Sequence, residues 1–309
     1  MTWGICATVL APTETILKFA AYHLEQGAHR LYLYLDSDNQ DAYHVLKRHA
    51  KVRVRMCDVG YWAKVSGRRP LKHQVRQTVN ATHAYNRPTE VDWLTHIDVD
   101  EFLVSNQPIS DILGSVPASR NCLRVRPMEL LGGSRTAFKT FIAAPNRPTL
   151  VRKIYPDFGQ YLRGGFVSHV AGKVFVRKGL PDITVKIHNA FQNDVAFADT
   201  LELEAVQLAH CHAASWDAWR AAYDYRLDKG SYRAELKPAA EAGSSAVNKH
   251  ALFQQLQDEE GEAGLRRFYD EVIGDSADLR ARLSAHGLLR EVDLNLEAAL
   301  AKHFPNATV

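Results

Sequence analysis

Cysteine is scarce in this chain: four among 309 residues (Cys6, Cys57, Cys122 and Cys211), with no CxxC pair. That spacing excludes a zinc ribbon, and four scattered thiols in a chain of this length do not make a disulfide framework. Charge of one sign is lacking too. The net charge is +3, so nothing announces a nucleic-acid binder, and nucleic acid is not an expected partner. Nor is there a long apolar run. The longest stretch without Asp, Glu, Lys or Arg is Met1 to Thr13, short of the roughly 20 apolar residues of a spanning helix. It also lacks the basic start and apolar centre of a secretory signal. The expectation is a soluble, cytoplasmic globular protein, 46% of it hydrophobic and able to build a sizeable core. Histidine is the one excess, at 14 residues, and His210 and His212 share one short segment.

The first hundred residues alternate between strand and helix patterns. Residues 3–10 form a short apolar run. Pro12 and Thr13 then offer a helix start, with Thr13 as N-cap. Ile16, Leu17, Ala20 and Leu24 share a helical face, and Gly27 supplies a stop. Residues 31–36 read LYLYLD, a run suited to a strand buried on both faces. A helix around 40–50, a strand at Val52–Met56, a helix over 71–86 and a strand over 93–99 follow. This order predicts a mostly parallel sheet flanked by helices, in which ligands bind beyond the carboxyl ends of the strands. Two strands end in acids, Asp36-Ser37-Asp38 and Asp98-Val99-Asp100-Glu101, and both should face one crevice. From 121 to 192 short β-rich stretches dominate (122–126, 149–155, 168–177, 183–187). From Trp216 onward the pattern is helical, with stripes at Leu265, Phe268, Tyr269, Val272 and at Val292, Leu296, Ala299, Leu300. The Gly/Ser stretch at 243–245 is the candidate loose joint.

Asp98 and Asp100 stand two apart, and on a strand such residues share a face. Two carboxylates so placed can approach one hard divalent cation, which can neutralise charge on a diphosphate leaving group. Three acids within Asp98–Glu101 repel one another, and a bound cation relieves that. His210 or His212, brought back to the pair, would add a nitrogen ligand and favour Mn²⁺ over Mg²⁺. Asp36 and Asp38 close the second strand in a turn and suit contacts to a nucleobase or ribose. Lys64, Arg68, Arg69, Lys72 and Arg76 form a basic stretch with no acid between Asp58 and Glu90. It is either a solvated face or an attractor of anionic ligands, and it lacks the aromatic interleaving of a single-strand nucleic-acid platform.

These residues resemble a family. Residues 93–103 (WLTHIDVDEFL) are similar to the DxDEFL block of bacterial glycosyltransferase family 2-like proteins, which are also similar to glycosyltransferase family 92. Glu14, Ala21-Tyr22-His23, Gly27 and Leu33–Asp38 follow the family's order and spacing. Residues 172–177 (GKVFVR), with His188 after them, resemble its GKxxVR block, and residues 209–215 (AHCHAAS) resemble NHYxxxS. The likeness spans roughly residues 3–232. Two departures stand out: Pro12 and Thr13 replace the family's basic residue and Asn before Glu14, and Cys211 replaces the aromatic after His210.

The resemblance implies a GT-A-like fold, a nucleotide-diphosphate sugar donor and a divalent cation, Mn²⁺ or Mg²⁺. It makes Asp98 and Asp100 the metal and diphosphate motif, Asp100 the more direct ligand and His210 the returning one. Glu14, Asp36 and Asp38 would lie near the nucleoside, and Lys173 near the phosphates or the acceptor. The implied activity is sugar transfer to a carbohydrate or lipid-linked acceptor, in cell-envelope or surface polysaccharide synthesis, with inversion at the anomeric carbon. Inversion needs a carboxylate base, for which Glu129 and Asp194 are the candidates. The expected organisation is a catalytic domain over 1–232 (nucleotide half 1–105, acceptor half 106–232) and a C-terminal helical extension over 233–309. A lipid-linked acceptor would admit peripheral membrane contact by the basic stretch. Two rival classes share the acidic crevice: a metal-dependent phosphohydrolase, which would release phosphate without an acceptor, and a non-catalytic nucleotide-sugar-binding protein. No GxxxxGK[ST] and no GxGxxG follows the first strand.

Overall fold

The computed structural model describes residues 1–88, 90–143, 147–238 and 247–307. The Gly/Ser stretch at 243–245 lies outside them. In chain order the elements begin with β1 (Trp3–Val9), α1 (Thr13–Glu25), β2 (Arg30–Leu35), α2 (Gln40–Lys47), β3 (Val52–Met56), α3 (Val59–Ser66), α4 (His73–Asn86), β4 (Trp93–His96), β5 (Glu101–Ser105) and α5 (Ile109–Gly114). Then come β6 (Cys122–Leu130), β7 (Ala137–Thr140), α6 (Arg147–Ile154), β8 (Lys173–Arg177), β9 (Ile183–Val185), β10 (Ala190–Gln192), β11 (Val195–Ala196) and β12 (Leu201–His210). The last are α7 (Trp216–Ala221), α8 (Tyr223–Asp228), α9 (Lys249–Glu260), α10 (Glu262–Val272), α11 (Ala277–Ser284), β13 (Leu289–Glu291) and α12 (Leu296–His303). None of these helices is long and apolar enough to cross a membrane.

The chain divides into two compact units. The first comprises Met1–Arg126, Gly172–Leu208 and Leu294–Val309, the second Pro127–Ala171 and Ala209–Asp293. This partition does not coincide with a boundary at residue 232. The C-terminal segment is shared, because α12 packs within the first unit: Lys302 and His303 reach Glu25 of α1 at 2.8 and 2.9 Å, and Ala299, Leu300 and Phe304 are buried. The helices from α9 to α11 belong to the second unit.

The first unit is the expected mixed α/β fold. β3, β2, β1 and β4 are parallel neighbours in that order. β8 continues antiparallel beside β4, and β6 antiparallel beside β8. Leu31 to Leu35 of β2 are all buried, as a strand covered on both faces requires. The α1 stripe of Ile16, Leu17, Ala20 and Leu24 is buried as well. Its N-cap is Pro12, not Thr13; the Thr13 hydroxyl donates to Asn39 Oδ1 at 3.0 Å instead. Two helices depart from expectation. α3 forms despite Gly60 and two valines because Asp58 caps it, accepting from Tyr61 N at 2.7 Å. Residues 149–155, read as β-rich, are largely helical in α6. Pro148 sits in the first turn, where its missing N–H costs nothing, and Val151, Ile154 and Tyr155 bury one helical face.

The second unit pairs β13, β7 and β6 antiparallel and surrounds them with α6 to α11. Its core is aromatic. Trp219, Tyr223, Phe253, Phe268 and Tyr269 are all buried, and the Phe253 and Phe268 rings meet edge-on at 4.8 Å. The expected α10 stripe, Leu265, Phe268, Tyr269 and Val272, supplies much of that core.

Candidate active site

Strand β4 ends at His96, three residues earlier than expected, so Asp98 and Asp100 do not share a strand face. They lie in the turn that joins β4 to β5. That turn is closed by Glu101 N donating to Asp98 O (3.0 Å) and by Asp98 N donating to Glu101 Oε2 (2.7 Å). Asp98 keeps 28% of its side-chain surface exposed, Asp100 is half-buried and Glu101 is fully buried. The relief of their mutual repulsion comes from within the chain. The buried Lys173 ammonium lies 2.6 Å from Asp98 and 3.1 Å from Glu101. Burial alone would raise the Asp98 carboxyl, but Lys173 outweighs it and holds Asp98 below its ordinary value. Burial would likewise lower the Lys173 ammonium, and the two carboxylates together push it up. Gln77 Nε2 completes the set, donating to Asp98 Oδ1 at 2.5 Å.

Two sequence blocks explain this placement. Gly172 adopts φ +67°, and a Cβ there would stand 2.0 Å from Val125 O. Only glycine lets β8 start so close to β6, and Lys173 follows directly, paired in register with Val125. His188 Nδ1 donates to Gly172 O at 2.9 Å and holds the same turn from outside the strand. On the other side, consecutive residues of α1 clamp Leu103 of β5. The Tyr22 hydroxyl donates to Leu103 O (2.9 Å), and Leu103 N donates to His23 Nε2 (3.3 Å). His23 Nδ1 therefore carries the proton and donates to Phe19 O at 2.9 Å. Its ring stacks on Phe102 at 5.8 Å. Burial pushes the His23 pKa down to about 3, against its contacts with Phe19 and Glu101, so the ring is neutral. His96 is likewise buried; among the described residues both its ring nitrogens lack hydrogen-bond partners, and burial, aided by Lys173, pushes its pKa to about 4. The YH and DEFL blocks, eighty residues apart, are one hydrogen-bonded assembly.

The second acidic strand end is held from the same helix. Arg76 of α4 pairs with Asp36 at 2.6 Å, and Arg69 pairs with it at 2.9 Å. Arg76 and Gln77 are neighbours, so adjacent residues of α4 grip Asp36 and Asp98. A cavity of about 660 Å³ opens at the carboxyl ends of β2 and β3, walled by Asp36, Asp38, Cys57, Trp62, Arg68 and Arg69 among others. Beneath it the Tyr61 hydroxyl donates to Asn80 (2.6 Å), and Asn80 donates to Thr8 (2.9 Å). Burial pushes the Cys57 thiol up to about 12, with Asp36 adding to it, so this wall is not nucleophilic. Glu14 is not among the lining residues; it pairs with Lys18 on α1 at 2.7 Å.

Of the other expected residues, Asp194 is exposed in the β10–β11 turn at φ +61°. Glu129 belongs to the second unit and is buried. It accepts from Val167 N (3.2 Å) and Ser168 N (2.7 Å) and pairs with Lys139 at 3.3 Å. Burial would raise its carboxyl, but Lys139 and Ser168 hold it below the ordinary value. A carboxylate so engaged is a poor proton acceptor. His210, also of the second unit, is buried with its ring 5.5 Å from His169 and 5.1 Å from His212. His212 touches Tyr232 Oη at 3.4 Å, and burial, with Arg226 nearby, pushes its pKa well down. The grips of Arg76 and Gln77 and the Tyr22–His23 clamp were not foreseen. A signal for the first existed: Arg76, Asn80 and Ala84, four apart, form the buried face of α4, and a polar pair on a buried stripe needs partners.

The sequence profile of Glycosyltransferase family 92 matches residues 4–229. No curated protein matches the chain. Among solved structures, the chain is similar to 4-diphosphocytidyl-2C-methyl-D-erythritol synthase from Anaerococcus prevotii, at 7% identity and a TM-score of 0.31 over 57% of this chain and 71% of that one. It is also similar to HddC from Yersinia pseudotuberculosis (11%, TM-score 0.34, 73% and 99%) and to a mycobacterial protein (13%, TM-score 0.32, 89% and 76%).

Proposed function

The chain belongs to glycosyltransferase family 92, and from that premise we propose that it moves a sugar from a nucleotide-diphosphate donor to an acceptor hydroxyl, with the donor held by the first unit. The observation that carries this reading is the pair of grips from α4. Arg76 on Asp36 and Gln77 on Asp98 align the acidic ends of two parallel strands along one helix, beside a cavity of about 660 Å³. A cavity of that size suits a nucleoside, and its Arg68 and Arg69 suit anionic oxygens.

The donor set at the β4–β5 turn is carboxylate oxygen, the ligand type of a hard divalent cation. Both Asp98 oxygens already accept from Gln77 and Lys173, so the proposed holder is Asp100, with Asp98 sharing. Such an ion, Mn²⁺ or Mg²⁺, would supply positive charge to the departing diphosphate. Lys173 holds Asp98 in its ionised form and pairs with Glu101, and the Tyr22–His23 clamp fixes the strand that follows. In the reaction the acceptor oxygen bonds to the anomeric carbon and the bond to the diphosphate oxygen breaks. The nucleoside diphosphate leaves, and the hydroxyl proton passes to a base. We further propose inversion at that carbon and a role in cell-envelope or surface polysaccharide synthesis.

The test is a thermal-shift screen of nucleotide sugars with and without Mn²⁺, followed by product analysis with the stabilising donor. One donor should raise Tm in the presence of Mn²⁺, and the rise should vanish in Asp100→Ala. Absence of any donor-specific shift, or a shift unchanged in Asp100→Ala, would refute the site. Phosphate release without acceptor would favour a phosphohydrolase instead.

A further inference from the structure

We propose that the segment Val59–Val75 is a membrane-docking surface that seats on an anionic bilayer. This rests on surface chemistry and holds whether or not the sugar-transfer reading does. Among the described residues eight large apolar side chains are exposed, and three of them fall in this one segment: Val59 at 86%, Leu71 at 97% and Val75 at 45%. The same segment carries Lys64, Arg68, Arg69 and Lys72, with no acid between Asp58 and Glu90. All four are exposed. Arg69 and Arg76 are held by Asp36, whereas among the described residues Lys64, Arg68 and Lys72 form no ion pair.

Leu71 shows why a bilayer fits better than another polyanion. It stands at the tip of the loop before α4, flanked by Arg69, Pro70 and Lys72. Two hydrogen bonds from Arg76, to Pro70 O and Leu71 O (both 2.9 Å), fix that loop. A rigid loop that presents leucine within a collar of cations gains from apolar insertion and from phosphate headgroups together. A nucleic acid would use the cations and leave the leucine and valines in water. The aromatic residues here that could stack on bases, Tyr61 and Trp62, are buried. A single leucine with two valines is a weak anchor, so the docking should be reversible and need anionic lipid.

The experiment is co-sedimentation of the full chain with vesicles of phosphatidylcholine alone and with vesicles of phosphatidylcholine and phosphatidylglycerol in equal parts. Binding to the anionic vesicles should be at least about tenfold tighter, since each basic residue near such a surface contributes substantially. It should weaken when ionic strength rises from about 0.1 M to about 1 M, where the screening length falls to about 3 Å. Lys64→Glu with Lys72→Glu, and separately Leu71→Asp with Val75→Asp, should each weaken binding about tenfold or more. These positions are exposed, so Tm should not move, and an unchanged Tm separates lost docking from lost fold. Equal binding to both vesicle types overturns the proposal. So does anionic binding that survives Leu71→Asp with Val75→Asp, or equally tight binding to heparin that ignores that variant, since either makes the surface a plain polyanion site.

Discussion

Lys173 of the first unit and Lys139 of the second are both buried, and both face a glutamate, at 3.1 and 3.3 Å. Their proton affinities move in opposite directions. Lys173 sits between two carboxylates, and its ammonium is pushed up. Lys139 has one carboxylate and donates to Val272 O at 2.7 Å; burial dominates and its ammonium is pushed down. In the second unit one glutamate lies among two lysines, Lys139 and Lys249, within a closed network. Glu129 takes the amides of Val167 and Ser168, and Lys249 donates to the carbonyls of the same two residues. That cluster pins a loop. In the first unit one ammonium meets two carboxylates, one of them partly exposed. Carboxylates in excess outweigh burial and raise the lysine, whereas a single carboxylate shared with a second lysine lets burial lower it.

The strongest test removes the ammonium. Lys173→Met strands two carboxylates, and urea unfolding should show a loss of about 3–5 kcal/mol. Adding Glu101→Gln should return part of that stability without restoring a donor-dependent Tm shift. In the second unit Lys139→Met alone should cost a similar amount, whereas Lys139→Met with Glu129→Gln should come back to within about 2 kcal/mol of the native chain. Equal behaviour of the two double variants, in stability and in donor response, would erase the distinction.

The next test uses acid. His23 has a folded pKa of about 3 against an unfolded value near 6.5. Below that unfolded value the unfolded chain takes up the proton first, so stability falls as pH drops from about 6.5 toward about 3, by about 1.4 kcal/mol per unit for one such group. His23→Gln keeps an acceptor for Leu103 N and should flatten that loss by one proton in a denaturant series across pH. If it also weakens donor binding at neutral pH, the clamp serves the first cluster and not the fold alone. Asp98 acts at the acid end. Its depressed pKa gives stability that is complete above about 4 and lost as pH falls through the folded value.

Smaller effects bracket the comparison. Asp100→Ala should leave stability within about 0.5 kcal/mol and weaken Mn²⁺ binding by calorimetry about tenfold, or 1.4 kcal/mol. Lys18, which pairs with Glu14 and Glu297 at the surface, supplies the floor. Lys18→Ala should cost less than about 1 kcal/mol by urea unfolding.

Much of the first unit was legible because its strands advertise themselves. LYLYLD could only be a buried strand, and acids at two strand ends pointed to the carboxyl side of a parallel sheet. The two valines and the glycine behind the Asp58 N-cap obscure α3, and the β-branched residues around Pro148 disguise α6. The site was half-visible. Asp98, Asp100 and Lys173 stand out in their motifs. That Lys173 neutralises the acids was not visible, because the two are 75 residues apart and only the β6–β8–β4 pairing brings them together. Tyr22 and His23 read as pattern, and their physical role is to hold Leu103.

The return of α12 onto α1 sets a clock on biosynthesis. Residues near the start of the chain wait for residues 279 positions later, as Lys18 does for Glu297. The α12 side of α1 must therefore stay uncovered while the residues between the two helices are being made. Closing so long a loop adds little equilibrium cost, but it makes the order of events strict. The first unit cannot finish ahead of the second, because its stretch from Leu294 onward is made after every residue of the second.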